Sequence, residues 1–167
     1  MVVEKEKFDT PVADGIVTWW EIDEKGEKHL LCKHNTVLNT ARFIMRDLLA
    51  GGNDTINKVL LGDRNLTFDD NLNMNPPMVS PTETVLAHQI GEVMLLQTDK
   101  AEVSGRPSVI FTFKVVKDNS LGSADGSAII AECGLCTKDN RMFSKVAHKP
   151  IIKRPFAGLL LQWEIIF

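Results

Sequence analysis

The side chains of this sequence most able to hold a metal are three cysteines and four histidines. Cys133 and Cys136 flank Gly134 and Leu135 at the spacing of half a zinc site, and Cys32 with His34 offers a second half if the two segments lie side by side. An extended backbone opposes that reading. Residues three apart on a strand point to opposite faces, so the two thiols converge only if the chain bends at Gly134. The simpler reading is that the cysteines are buried and serve as small apolar side chains. Oxygen ligands alternate at Asp63, Asn65, Thr67 and Asp69, as in the opening of a calcium loop, but the sixth position is Phe68, where the turn needs Gly, and the twelfth is Met74, where a bidentate Glu belongs. A polar surface loop is the preferred account.

Catalytic signatures are missing from the sequence: there is no nucleophile elbow, no phosphate-binding glycine loop and no histidine pair at metal spacing. His29, His34, His88 and His148 are dispersed. Glu132, an acid inside an apolar run, is the one carboxylate that burial would perturb, and it requires a counter-charge such as Arg42, Arg46 or a neighbouring subunit. The expectation is a protein without catalytic residues and without a cofactor. Trp19, Trp20 and Trp163 suggest a stacking platform for sugars, yet with no Tyr and only 3 Trp and 8 Phe the chain lacks the aromatic enrichment of a recognition surface. If the chain around Trp19 and Trp20 is a strand, one ring faces outward, where it would pack on another subunit. Trp19, Trp20, Glu132, Trp163 and Phe167 are therefore the candidate assembly residues.

The elements that must position these groups are mostly strands. Gly15 to Trp20 and His29 to Cys32 flank an Asp23-Glu24-Lys25-Gly26 turn and read as a hairpin. Asn39 can cap a helix of about three turns that ends at Gly51-Gly52, with Ala41, Ile44, Met45, Leu48 and Leu49 on one stripe. Ile56 to Leu61 is a short strand ending at Gly62. Residues 63–81, rich in Asn, Asp and Pro, predict a long irregular loop, of the kind that is functional or ordered against a partner. Strands follow at about 90–98, 107–117, 127–137, 141–147 and 158–167. In the second of these Val109, Phe111, Phe113 and Val115 share a face opposite Ser108 and Thr112. In the last, Leu159, Leu161, Trp163, Ile165 and Phe167 share one face, and this apolar strand has to be covered by the fold or by another chain. The pattern predicts a mainly β, sandwich-like domain over 1–167, with one α-helix inserted near the N-terminal third and residues 1–14 as an arm.

With 167 residues, 44% of them apolar, the chain can bury one core of ordinary size. A net charge of −3, from 19 basic and 22 acidic side chains, gives no electrostatic case for nucleic acid. Lys138, Arg141, Lys145, His148, Lys149, Lys153 and Arg154 are separated by apolar positions and read as the wet side of a sheet, or as a rim meeting an acidic neighbour. Met1 to Lys7 lacks the apolar centre of a signal peptide, and no run approaches the roughly 18 apolar residues of a membrane span, so a soluble compartment and no membrane partner are expected. An odd number of cysteines in such a chain argues against a disulfide framework.

Asn35-Thr36-Val37-Leu38-Asn39 leading into a helix that closes on Leu48-Leu49-Ala50-Gly51-Gly52, followed by Ile56 to Gly62, resembles the start of a group of small virion proteins of tailed bacteriophages. Ile129-Ile130-Ala131-Glu132-Cys133-Gly134-Leu135, Arg141-Met142-Phe143-Ser144-Lys145-Val146 and Leu161-Gln162-Trp163-Glu164-Ile165-Ile166-Phe167 are similar to that group's C-terminal half, and Pro81-Thr82-Glu83-Thr84-Val85-Leu86 to its linking segment. The sequence departs from the group at Cys133 and Cys136 and in a longer loop over 63–78. The resemblance implies a tail, fibre-attachment, baseplate or collar component, made in the bacterial host cytoplasm and located in the virion, a homo-oligomer forming a ring or trimer with other virion proteins as partners. The alternatives are a receptor- or glycan-binding module of a tail fibre, or a capsid decoration or head-fibre protein.

Overall fold

The last strand of the chain is its innermost. In the computed structural model, which describes residues 14–35, 40–80 and 82–167 (the side chains of His34 and Asn35 excepted), nine strands form two antiparallel sheets that face each other. The five-stranded sheet runs β2 (Lys28–Asn35), β1 (Asp14–Ile22), β9 (Gly158–Ile166), β6 (Arg106–Val115), β5 (Gln97–Val103), and the four-stranded sheet runs β4 (Gln89–Met94), β3 (Ile56–Gly62), β7 (Ala128–Thr137), β8 (Met142–Lys153). The mainly β, sandwich-like fold expected from the alternation is what the chain adopts.

Alternation builds the core. Val17 and Trp19 of β1, Phe113 and Val115 of β6, and Leu159, Leu161, Trp163 and Ile165 of β9 project from one sheet. They meet Val59 and Leu61 of β3, Ile130, Cys133 and Leu135 of β7, and Val146 and Ile151 of β8. The apolar run at the end of the sequence is thus covered by its own fold, between β1 and β6 and against the second sheet.

Helix α1 (Thr40–Leu49) buries Ala41 and Ile44 against this core and closes with a Gly51 at φ 90°, where the Gly52 amide bonds the Asp47 carbonyl at 2.8 Å. The stripe is narrower than its periodicity suggested. Leu48 and Leu49 sit in the last turn, 37% and 89% exposed. Asn39, the expected cap, lies outside the described residues, as do residues 1–13 of the expected arm and Pro81.

Two strands differ from the sequence reading. The expected strand over 90–98 is two, because Leu95 and Leu96 carry the chain from one sheet to the other: the Leu95 amide bonds Asn57 and the Leu96 amide bonds Thr112. β8 continues past Ala147 to Lys153 through a register shift opposite Ala131, which accommodates Pro150.

Candidate functional site

β7 is buried along its whole length, which requires cover on the face turned away from the core. That cover is the irregular segment between β3 and β4. Val79 and Leu86 pack on Leu60, Cys136 and Met142, forming a second, smaller apolar cluster on the outside of the four-stranded sheet. The segment is a strap, and its polar anchors lie beneath it.

Glu132 and Lys145 occupy neighbouring strands under the strap, 1% and 6% exposed at their side chains, with Lys145 Nζ 3.5 Å from Glu132 Oε2. The same ammonium donates to Glu83 Oε2 at 2.6 Å and to the Val85 carbonyl at 2.9 Å, while the His88 amide donates to Glu132 Oε1 at 3.0 Å. A buried ion pair is tolerated when its remaining hydrogen-bond capacity is used, and the strap backbone uses it here. Gly62 makes room: a Cβ there would stand 2.6 Å from the His88 carbonyl oxygen and 2.7 Å from Glu132 Oε1. Lys145 holds the Glu83 carboxyl below the usual carboxylate range, with the Ser80 amide adding to the effect.

At the foot of the strap His88 Nδ1 lies 2.7 Å from Asp63 Oδ1. This pair borders a cleft of about 420 Å³ lined by Thr67, Phe68, Ile90, Leu121, Gly122, Ser123 and Ser127, among others. A carboxylate that orients an imidazole is half of a general-base arrangement. The other half is not assembled: among the described residues no hydroxyl is bonded to the His88 ring, and Ser123 Oγ donates instead to Asp125 at 2.7 Å. Asp63 Oδ1 also accepts the Asn65 amide at 2.8 Å, and the Thr67 hydroxyl donates to Asp70 Oδ2 at 3.2 Å, so these two oxygens of the calcium-like run are engaged in local turns.

The candidate residues separate by face. Trp19 and Trp163 are fully buried, so neither is an assembly contact; their positions on β1 and β9 point into the sandwich. Glu132 is likewise interior, and its counter-charge is Lys145, not Arg42 or Arg46, because the helix packs on the opposite side of the sheet from the strap. Trp20 does turn outward, half-buried, with Lys28 Nζ 6.0 Å from its ring centre. Phe167 is 41% exposed at the end of the molecule, its amide bonded to the Pro107 carbonyl.

Cys133 lies in the main core and Cys136 in the cluster under the strap, on opposite faces of β7, as their spacing on a strand demands. Cys32 packs at the margin of the main core, close enough to Cys133 to influence its thiol; the His34 side chain lies outside the described residues. Burial pushes the Cys32 thiol up to about 11 and Cys136 up to about 12, and Cys133 is raised well above the usual thiol value, by burial and then by Cys32. These are protonated thiols in apolar surroundings, the reverse of what a metal ligand needs.

Sequence reasoning missed the interior basic residues. Lys145, His148 and Lys153 are buried, not wet. Lys153 Nζ donates to the Lys117 and Arg154 carbonyls at 2.9 and 3.2 Å, and desolvation lowers its pKa. The His148 ring tilts against Trp19 with centres 6.0 Å apart. Their signal was faint: each interrupts an apolar run in a strand whose other neighbours are core residues.

Comparison of the chain with protein-family profiles, with curated proteins and with solved structures returns no match.

Proposed function

We propose that this chain is a structural component of a tailed-phage virion, at the tail, fibre attachment, baseplate or collar, and that it acts by protein–protein assembly without catalysing a reaction. The sequence resemblance points to that class. The observation that carries the reading is where the chain leaves apolar surface: Leu49 at the end of α1, Met78 and Val85 on the strap and Phe156 in the β8–β9 turn are 89%, 95%, 71% and 74% exposed. Side chains of this kind, set on projecting turns and a helix end, suit contacts with other proteins better than enclosure of a small molecule. Repeated in a symmetric particle, such contacts add through avidity. Of the candidate assembly residues, Trp20 and Phe167 remain at the surface.

The test is recovery with particles. Purified virions analysed by mass spectrometry should contain the chain at a fixed copy number, and antibody against it should decorate one part of the particle in electron microscopy. A chain never recovered with virions, or a purified monomer that turns over a small substrate, overturns the proposal.

A further inference from the structure

β5 ends the five-stranded sheet, and among the described residues no strand pairs with its outer edge. Gln97 to Glu102 are exposed throughout. The hairpin that presents this edge is rigidly specified: Ser104 and Gly105 at φ 51° and 79° form a two-residue turn of the type favoured between twisted strands, closed by the Val103–Arg106 pair. In such a hairpin the closing pair exchanges both its backbone bonds, and hydrogen-bonded pairs then alternate. Val103, Ala101, Asp99 and Gln97 therefore spend their backbone groups on β6, and Thr98, Lys100 and Glu102 direct theirs to the free edge.

An edge carrying Lys and Glu is closed to indiscriminate pairing, because an incoming strand meets charges it does not answer. One strand answers both. Antiparallel pairing about a two-fold axis at Ala101 places Lys100 opposite the partner's Glu102 and Glu102 opposite the partner's Lys100. These residues share one face, and theirs are the outward backbone groups, so each charge pair is also a hydrogen-bonded pair. Moving the axis to Asp99, Lys100 or Glu102 sets a charge against its own copy. The small Ala101 at the axis lets the two backbones approach at the non-hydrogen-bonded position.

We infer that β5 is a self-recognition edge, on which a second copy of this chain adds antiparallel about Ala101 to make one continuous ten-stranded sheet across the dimer. The inference rests on the assembly reading and names one partner for it: a two-fold pair in place of the ring or trimer that the resemblance implies. The edge discriminates by what it repels as much as by what it attracts.

The experiment is a charge exchange followed by sedimentation at increasing protein concentration. Wild type should form dimers. Lys100→Glu and Glu102→Lys should each weaken dimerisation by about tenfold or more, since each puts like charges opposite one another. The double variant should restore it, and the two single variants mixed should form a heterodimer. Ala101→Cys should give a disulfide-linked dimer under mild oxidation, the Cα atoms across that position standing about 4.5 Å apart. A wild-type chain that stays monomeric, dimers indifferent to these charges, or a monomer whose Lys100 and Glu102 amides are already protected from exchange would each overturn the proposal. A monomer still recovered with virions removes the β5 dimer and leaves the structural role, whereas a β5 dimer never found with virions does the reverse.

Discussion

At the scale of single residues, two glycines separate what is rigid from what can yield. Gly62 faces a backbone carbonyl and the buried Glu132, so a methyl group there must displace the strap or break the Glu132 contacts; Gly62→Ala is expected to cost about 2–3 kcal/mol. At Gly134 the added carbon would meet Met142 Cε at 2.5 Å, which is the end of a flexible side chain, and Gly134→Ala is expected to cost about 1 kcal/mol or less. Urea unfolding of the two variants checks the order; equal losses would mean that the strap moves as readily as a methionine. Electrostatics in the β1–β2 turn are equally local. Asp23 Oδ2 lies 2.8 Å from His29 Nε2, which raises the His29 pKa above its usual 6.5. That pairing stabilises the β1–β2 turn fully below pH 6.5 and is lost as pH rises through the raised value. An NMR titration should place the His29 midpoint above 6.5 in the native chain and return it toward 6.5 in Asp23→Asn.

At the scale of elements, the strap is the part with a stability of its own. Lys145 depresses the Glu83 pKa, so this contact stabilises the strap above the usual carboxyl value of 4.5 and is lost as pH falls through the depressed value. The chain within 79–88 should become susceptible to proteolysis on acidification before the sheets unfold, and Glu83→Gln should be susceptible already at neutral pH; cleavage mapped by mass spectrometry decides it. Elements were legible in the sequence where apolar period and turn chemistry agreed. The helix shows Ala41 and Ile44 at the right spacing and a Gly pair at its end, and β9 shows a continuous apolar face in Leu159, Leu161, Trp163 and Ile165. β5 was not legible, because Gln97-Thr98-Asp99-Lys100-Ala101-Glu102 has no apolar face and is a strand only through its pairing with β6. The irregularity of 63–80 could be read from its composition. That it folds back over β7 could not, since the anchors are a backbone carbonyl, one amide and a lysine whose charge argued for solvent.

At the scale of the whole molecule, both sheets share one core, and the strap adds a second layer that covers only the outer side of the four-stranded sheet. The cysteines report on these two levels separately. Cys133 sits between the sheets and is exposed only by separating them, while Cys136 is shielded by Val79 and Leu86 and is exposed once the strap lifts. With their thiols pushed to high pKa by burial, all three cysteines should resist alkylation in the native chain at mildly alkaline pH. As urea is raised, Cys136 should label first, in a step that leaves tryptophan emission unchanged because Trp19 and Trp163 stay packed. Cys133 should follow with global unfolding, when the buried indoles meet water. Chelators should leave both midpoints where they are, because Cys133 and Cys136 occupy opposite faces of β7 and share no ion. Simultaneous labelling of Cys133 and Cys136 in one transition would instead make the strap an integral part of a single cooperative unit. The surface over β7 would then be fixed by the fold, without a segment able to open independently.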